Sequence, residues 1–431
     1  MPLSPEGYRP RMLERKLELC LETFGAVEIR GPKWCGKTWL ALSHAESAAY
    51  LDDAATRQAV DANRRLALAG ARPHLIDEWQ EVPELWDAVR REVDASGAQP
   101  GSFILTGSSR PHGKAKVHHS GAGRIARLDL RPFSLFEMGL SDGTASLEAL
   151  FAGSPLEERS VSTSLEELAQ AVCRGGWPGA LGKSEQAARL ISGQYVDALC
   201  DATAGMHESQ VDPAVLRRVL VALARNDGCA TSNETLALDA GLDGDGAQRP
   251  GQRVEKYLSY LQQSYMVRSV RGWDAPVRAR ARVRSRPKRY LADPSLSAAL
   301  LGYNPERLMW DAQMLGVLFE SLCLRDIATY LEASVDLPGP TLWQYRDSYG
   351  LEVDAVIELA DGRWAGIEVK LNAAKADKAA ESLLRLRRKV LQNPAARNRE
   401  PAFLAVLVGE APFMYRREDG VYVIPVTCLG V

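Results

Sequence analysis

The sequence is poor in cysteine, and its cysteines are not arranged for a disulfide framework or a metal. Only 7 occur in 431 residues, and none of them forms a CxxC pair. The cysteines are scattered and odd in number, so neither a disulfide framework nor a zinc site is indicated. We therefore expect reduced thiols.

Long hydrophobic runs are also missing. No apolar stretch approaches the roughly 20 residues that a membrane-spanning helix needs, and the first ten residues lack the basic-then-apolar order of a secretory signal. We therefore expect a cytoplasmic protein without a membrane partner. Charge is nearly balanced, with 53 Lys and Arg against 55 Asp and Glu, so only local clusters of basic residues can indicate a nucleic-acid partner.

The chain is long enough for several domains, since 431 residues exceed one ordinary core. We predict an α/β protein with a parallel-sheet domain in residues 1–150, a mainly helical domain in 151–300 and an α/β domain in 301–431. The first domain is indicated by apolar runs that alternate with helical patterns, at residues 26–30, 73–77 and 102–106.

The pattern of the middle region is typical of a winged helix-turn-helix. Asp212 and Pro213 form a helix start signal. We predict helices over residues 213–224, 233–240 and 249–262, followed by a strand over 265–270. The last domain is predicted to have helices over 311–331 and 376–391, a hairpin turn at Asp361-Gly362, and strands over 342–346, 351–359, 364–369, 402–408 and 421–426.

A phosphate-binding motif follows the first strand. Residues 31–38 fit GxxxxGK[ST], with a strand before them and a helical pattern after them. Glycines let backbone N–H groups approach phosphate, Lys37 would reach the β- and γ-phosphates of ATP, and the Thr38 hydroxyl would bind Mg²⁺. The predicted ATP-binding residues of this P-loop are Gly31, Pro32, Lys33, Trp34, Cys35, Gly36, Lys37 and Thr38.

Two carboxylates end the second strand, where P-loop NTPases place their second motif. We expect Asp77 to hold Mg²⁺ through its water shell and Glu78 to orient the attacking water as general base. A solvated acidic strand end is the alternative, which the preceding P-loop disfavours. The third strand ends in polar residues, and Ser108 or Thr106 is the candidate sensor of the γ-phosphate.

An arginine could stabilise charge in the transition state, either in cis or across the subunit interface of an oligomer. Four arginines follow the third strand, and ordinary surface positions are the alternative for most of them. Arg124, after Gly121-Ala122-Gly123, is the first choice. The others are Arg110, Arg127 and Arg131.

Five arginines recur at every second residue in the segment 277–286. In a strand they would share one face and form a cationic ridge, for which DNA or RNA is the natural partner. The alternatives are a solvated loop and arginines paired with acidic residues of another domain or subunit. Lys288 and Arg289 would extend the ridge, whose members are Arg278, Arg280, Arg282, Arg284 and Arg286.

Taken together, these motifs resemble the bacterial and archaeal AAA-type ATPases that carry a C-terminal DUF4143 domain. This resemblance implies ATP binding, a winged-helix middle domain and a restriction-endonuclease-like C-terminal domain. P-loops of this family more often read RQxGK[ST], whereas this chain has KWCGKT at residues 33–38. The difference changes side chains but does not change the backbone cradle for phosphate. The residues that carry the resemblance are 31–38, 75–78, 105–109, 131–137, 175–179, 287–294 and 352–370.

The resemblance also directs attention to a nuclease-like centre. Asp354, Glu368 and Lys370 look like a PD-(D/E)xK set, and period-two geometry puts Glu368 and Lys370 on one face of a strand. Such a set can bind Mg²⁺ and activate water for attack on a phosphodiester, with Glu320 as a fourth member. The alternative, equally weighted, is an exposed charge set in a non-cutting domain.

Two functions stay open on this basis. The first is a Mg²⁺-dependent ATPase that controls a nucleic-acid-binding module, with or without metal-dependent cutting. The second is an ATP-driven signalling switch, or a protein-interaction ATPase, whose nuclease-like domain only recognises a protein partner. Glu78 favours hydrolysis over binding alone.

Overall fold

The computed structural model describes residues 2–111, 120–204, 211–244, 249–275, 279, 282, 285–397 and 399–431. The chain divides into two compact units: Met1–Pro132 with Leu261–Met266, and Phe133–Tyr260 with Val267–Val431. The predicted boundaries at residues 150 and 300 do not separate these units, so the three-domain division stays a prediction. Among the described helices, none combines the length and the apolar composition needed to cross a membrane.

The first unit is a parallel sheet with helices on both faces, as predicted. Its elements are α1 (Glu14–Thr23), β1 (Ala26–Arg30), α2 (Lys37–Leu42), β2 (Ser47–Tyr50), α3 (Ala54–Ala62), β3 (His74–Asp77), α4 (Leu85–Ala95), β4 (Phe103–Gly107) and β5 (Ile125–Asp129). The strand order is β2-β3-β4-β1-β5, and every pairing is parallel.

Alternate side chains of the interior strand β1 belong to two separate cores. Val27 and Ile29 belong to the core that contains Leu17 of α1, whereas Ala26 belongs to the core that contains Trp86 of α4. This period of two is the geometry of a strand covered on both faces. The edge strands β2 and β5 are less buried, and their weak apolar pattern explains why the sequence did not indicate them.

The carboxyl ends of the central strands meet at one edge of this sheet. Arg30, the last residue of β1, lies opposite Gly107 of β4. Ile76 of β3 lies opposite Leu105 of β4. The segments that follow these three strands are therefore neighbours, as expected for ligand sites in open parallel sheets.

The second unit combines helices with a mixed sheet. The helices after Phe133 are α5 (Leu147–Phe151), α6 (Leu165–Arg174), α7 (Glu185–Ala204), α8 (Pro213–Arg225), α9 (Asn233–Asp239), α10 (Pro250–Gln263), α11 (Pro294–Leu300), α12 (Pro305–Trp310), α13 (Ala312–Ala333) and α14 (Ala376–Gln392). Asp212 caps α8 as predicted, because its carboxylate accepts the N–H groups of Ala214 and Val215.

Six of the strands described in the second unit lie at predicted positions, namely those at residues 265–270, 342–346, 351–359, 364–369, 402–408 and 421–426, and the others were not predicted. The strands of this unit are β6 (Ala145–Ser146), β7 (Arg159–Ser160), β8 (Val267–Val270), β9 (Lys288–Leu291), β10 (Thr341–Arg346), β11 (Glu352–Glu358), β12 (Trp364–Asn372), β13 (Phe403–Glu410), β14 (Phe413–Arg416), β15 (Tyr422–Pro425) and β16 (Leu429–Gly430). The main sheet has the order β10-β11-β12-β13-β15-β14-β7. Parallel pairing is confined to β12-β13 and β13-β15, and the other neighbours are antiparallel.

The predicted hairpin at Asp361-Gly362 joins β11 to β12. Gly362 has a φ of 86°, a left-handed conformation that glycine adopts without a Cβ penalty. The two strands pair antiparallel, with Ala355 opposite Ile367. This turn brings the acidic residues of β11 beside those of β12.

Candidate functional site

The P-loop has a backbone that requires glycine at two points. Gly36 has a φ of 99°. At Gly31, an added Cβ would lie 2.1 Å from the carbonyl oxygen of Leu130. A larger residue would therefore push the loop away from the end of β5. The backbone cradle predicted for phosphate depends on both positions.

Lys37 and Arg11 donate hydrogen bonds to carbonyl groups of the P-loop. The buried Lys37 ammonium donates to the Pro32 carbonyl at 3.0 Å. The buried Arg11 guanidinium donates to the Cys35 carbonyl at 2.9 Å and to the Arg131 carbonyl at 2.8 Å. Arg11 thus ties the loop to the segment after β5. No sequence motif marks Arg11, so its role was missed.

Asp77 receives two hydroxyl groups on one oxygen. Thr38 Oγ1 donates to Asp77 Oδ1 at 2.9 Å, and Thr106 Oγ1 donates to the same oxygen. Burial raises the pKa of Asp77, and the hydrogen bonds from Thr106 and Thr38 oppose that rise. A hydroxyl and a carboxylate oxygen side by side are ligands that Mg²⁺ prefers. The Thr38–Asp77 pair therefore fits the predicted metal.

Glu78 is held in a strained backbone conformation beside Ser108. Its φ of 54° lies in the left-handed region, which is unfavourable for a residue with a side chain and recurs at functional sites. Ser108 Oγ donates to Glu78 Oε2 at 2.6 Å, and Gln80 donates to the same oxygen. The Glu78 N–H donates to Thr106 Oγ1 at 3.1 Å. Both predicted sensors therefore contact the acidic pair.

Arg124 lies at the wrong edge of the sheet to act on this site in cis. Its carbonyl accepts the N–H of Ala26, the first residue of β1, whereas the P-loop follows the last residue. The five residues of β1 separate the two edges by about 16 Å. Arg124 also donates to Asp94 at 2.8 Å. Its prediction as a finger in cis is therefore wrong, and a role in another subunit stays a prediction.

Arg110 and Arg131 follow β4 and β5 and so lie at the P-loop edge. Burial raises the pKa of Asp129, but the hydrogen bond from Arg30 and the charges of Arg131 and Arg110 lower it overall. Arg110 lies three residues after the end of β4 and Arg131 two residues after the end of β5, so both charges act on Asp129 from this edge. Of the four arginines considered, these two are the candidates for action in cis.

The nuclease-like set of the second unit converges as predicted. Lys370 Nζ donates to Asp354 Oδ2 at 3.3 Å and also to Glu368. The Val369 N–H donates to Asp354 Oδ2 at 2.9 Å. One lysine therefore joins a carboxylate of β11 to a carboxylate of β12.

A second lysine extends this set in a way that the sequence did not indicate. Lys288 Nζ lies 2.9 Å from Glu320 Oε1, 3.0 Å from Glu352 Oε1 and 3.6 Å from Asp354 Oδ1. The Tyr290 hydroxyl donates to the same oxygen of Glu320 at 2.8 Å. We call these seven residues the acid–lysine centre: Lys288, Tyr290, Glu320, Glu352, Asp354, Glu368 and Lys370.

Burial and mutual repulsion shift the titration of this centre. Burial and the charge of Asp354 raise the pKa of Glu368 to about 8 and that of Glu320 to about 7. Burial also raises the pKa of Asp354, but Lys370 and Lys288 lower it overall. The centre thus combines an aspartate that ionises more readily than usual with two glutamates that ionise less readily than usual.

The residues of the acid–lysine centre do not fit the divalent metal that the family resemblance implies. Their carboxylate oxygens face two ammonium groups, as described above. Among the described residues, no group of three or more His, Cys, Asp or Glu side chains is disposed to hold a metal ion. The metal assignment of Glu320, Asp354 and Glu368 is corrected accordingly, because lysine nitrogens take the positions between the acids.

The predicted arginine ridge is contradicted at Arg282. This residue is helical, and its N–H donates to the Ala279 carbonyl. Its buried guanidinium donates to both oxygens of Glu358, at 2.6 and 2.7 Å. The strand that pairs with β8 is β9, which begins at Lys288 after the arginine segment. Arg286 is exposed, Lys288 is buried, and Arg278, Arg280 and Arg284 lie outside the described residues.

Three family models match successive parts of the chain. An AAA domain matches residues 23–139, which cover β1, the P-loop and the acidic end of β3. A domain of unknown function, DUF8612, matches residues 165–307. A domain of unknown function, DUF4143, matches residues 315–429. The first unit is thus a P-loop nucleotide-binding domain of the AAA class.

Curated relatives are found in mycobacteria. The uncharacterized proteins Rv2008c of Mycobacterium tuberculosis and Mb2031c of Mycobacterium bovis are each 28% identical over 361 residues, which cover 82% of this chain and 72% of the relative. The match to AAA and DUF4143 domains in one chain confirms the combination that the resemblance predicted.

Solved structures similar to this chain include an ATPase and a branch migration motor. The Walker-type ATPase PABY2304 of Pyrococcus abyssi matches with a TM-score of 0.41 and 12% identity, covering 70% of this chain and 98% of that chain. The RuvB Holliday junction branch migration motor of Thermotoga maritima matches with a TM-score of 0.28 and 16% identity, at the same coverage. The fold class of the first unit is shown by its parallel sheet and by the AAA-domain match.

Proposed function

We propose that the chain is a Mg²⁺-dependent ATPase whose turnover controls a partner-binding module in residues 133–431. The observation that carries the proposal is the placement of Glu78. Ser108 and Gln80 both donate to its Oε2 oxygen, at the sheet edge where the P-loop begins. Its Oε1 oxygen is then the acceptor for a proton of the attacking water.

The other residues of this edge would bind and orient the nucleotide. Lys37 would exchange the Pro32 carbonyl for phosphate oxygens, a stronger charge-assisted contact. Thr38 and Asp77 would hold Mg²⁺, which neutralises phosphate charge when bound. Arg110 and Arg131 supply positive charge beside this edge, where charge develops on the γ-phosphate in the transition state.

A nucleic acid is the first partner to test. The exposed Arg286 and the arginines that precede it supply the basic segment on which this part of the proposal depends. Contacts would go to phosphates, because nothing in the segment predicts base readout.

A protein partner is the second candidate. Arg282 is engaged by Glu358, and the acid–lysine centre is internally neutralised, so neither is directed at phosphates. These contacts favour a recognition domain that does not cut nucleic acid, coupled to an ATP-driven switch.

The test is phosphate release from Mg-ATP by the full chain, alone and with single-stranded DNA, double-stranded DNA or RNA. We expect release in the wild type, loss of at least about 100-fold in Glu78→Gln with ATP binding retained, and loss of ATP binding in Lys37→Ala. Stimulation by one nucleic acid would identify the partner class. Release that is equal in Glu78→Gln and wild type would contradict the hydrolytic role of Glu78.

A further inference from the structure

Lys288 is a buried cation that the proposed ATPase function does not use. Sequence reasoning placed this residue on an exposed basic ridge, but it is only 3% exposed. It is the first residue of β9 and lies opposite Val270 of β8. Burial of an ammonium group is costly unless it is paired, so its surroundings must compensate for the lost hydration.

The compensation comes from three carboxylates on two other elements. Glu320 is on α13, and Glu352 and Asp354 lie two residues apart on one face of β11. Their oxygens lie 2.9, 3.0 and 3.6 Å from Lys288 Nζ. An ammonium has three N–H donors, so Lys288 can direct one toward each carboxylate.

Further contacts engage Glu320 Oε1 and both oxygens of Asp354. Tyr290, on the same face of β9 as Lys288, donates to Glu320 Oε1 at 2.8 Å. Asp354 Oδ2 accepts from the Val369 N–H and from Lys370, while Oδ1 faces Lys288. A divalent cation would have to displace a lysine that is anchored by its own strand.

We propose that the Lys288 ammonium is a built-in cation that takes the place of a divalent metal in the acid–lysine centre, so that the native protein binds no metal there. The centre is then a permanently neutralised relative of a nuclease site. Its carboxylates fix β9 against β11 and α13 instead of activating water. The inference concerns residues 133–431 alone and holds whether or not the chain hydrolyses ATP.

The mechanism of exclusion is electrostatic. Binding Mg²⁺ or Mn²⁺ among Glu320, Glu352 and Asp354 with Lys288 in place would bring like charges together within a buried site, at a cost that grows as the dielectric constant falls. Removing the ammonium leaves an uncompensated acid pair or triad, which is the environment that hard divalent cations seek.

The experiment is Mn²⁺ binding to the nucleotide-free full chain, measured from the loss of the free Mn²⁺ resonance in electron paramagnetic spectra. We expect Asp354→Asn to leave wild-type binding unchanged. Lys288→Met should gain about one Mn²⁺ per chain, and the added Asp354→Asn substitution should abolish that gain. Lys389→Met is the matched control, because Lys389 pairs with Asp347 outside the centre, and it should gain none.

Two results would overturn the proposal. The first is wild-type Mn²⁺ binding that Asp354→Asn removes, because Lys288 would then not exclude the metal. The second is a folded Lys288→Met variant, verified by circular dichroism, that gains no Mn²⁺. If Lys288→Met does not fold, Lys288→Gln is measured in its place, because glutamine keeps an N–H donor without the charge. A gain of Mn²⁺ by Lys288→Gln would support the proposal, and no gain would overturn it.

Discussion

The pair formed by Arg282 and Glu358 offers a direct test of whether the basic segment is structural or binds nucleic acid. The perturbation is Arg282→Met, which keeps much of the side-chain volume and removes the charge. Arg282 Nη1 and Nη2 donate to the two Glu358 oxygens at 2.6 and 2.7 Å, and Nε donates to the Asp274 carbonyl at 2.7 Å. The Arg282 and Glu358 side chains are 8% and 17% exposed, respectively.

The magnitude follows from this burial. Breaking a buried ion pair by removing one partner costs about 3–5 kcal/mol, because the other charge is left uncompensated. Glu358 retains some contact with solvent, so we expect the lower end, about 3 kcal/mol of unfolding free energy. The double variant Arg282→Met, Glu358→Leu should recover part of this loss, with a coupling energy of about 2 kcal/mol.

The assay must resolve the second unit, because a chain with two compact units need not unfold in one transition. Hydrogen exchange in β10 and β11, which pair antiparallel next to Glu358, reports local stability. Urea unfolding followed by tryptophan fluorescence supplies the global value. Arg286→Met is the matched control, because Arg286 is exposed in the same segment, and it should change stability by less than about 0.5 kcal/mol.

A different outcome would refute the reasoning. In that outcome, Arg282→Met leaves hydrogen exchange in β11 unchanged. It also lowers the affinity for DNA or RNA and makes that affinity less dependent on salt concentration. Arg282 would then contact phosphates, and the ridge prediction would hold despite the pairing with Glu358.

Two further predictions concern a catalytic position and a buried acid. Ser108→Ala should lower kcat for phosphate release about 10-fold with little change in KM for ATP, because one hydrogen bond that orients Glu78 is lost; a change in KM alone, in steady-state assays, would assign Ser108 to nucleotide binding instead. Burial raises the pKa of Asp227 to about 7, with Ser297 and Ser321 donating to it. Since the folded pKa lies above the unfolded value, the folded state binds the extra proton, and the unfolding free energy should fall as pH rises from about 4 through about 7. Asp227→Asn should flatten that dependence in urea titrations across this range, and an unchanged slope would contradict it.

The elements of the fold were readable from local patterns. Each of the buried strands β1, β3 and β4 contains two or three apolar side chains within a short run, so these strands were predicted within a residue or two. Edge strands lack this signal. Ser47–Tyr50 and Ile125–Asp129 were therefore missed, although Ile125–Asp129 decides on which edge Arg124 lies.

The candidate phosphate site could be predicted for a related reason. A P-loop, an acidic strand end and a polar strand end each lie within a few consecutive residues, and parallel topology brings them to one edge. Thr38, Asp77, Glu78 and Ser108 were identified in this way, and the structure joins them by hydrogen bonds.

The partners of long cationic side chains could not be predicted from local patterns. The sequence placed Arg282 and Lys288 on an exposed ridge by their spacing, but their partners Glu358 and Glu320 lie 76 and 32 residues further along the chain. Arg11 likewise reaches Arg131 across 120 residues. Local sequence carries the conformation and the chemical type of a residue, because both depend on near neighbours. The choice of ionic partner depends on which elements pack together, and so it became visible only in the folded molecule.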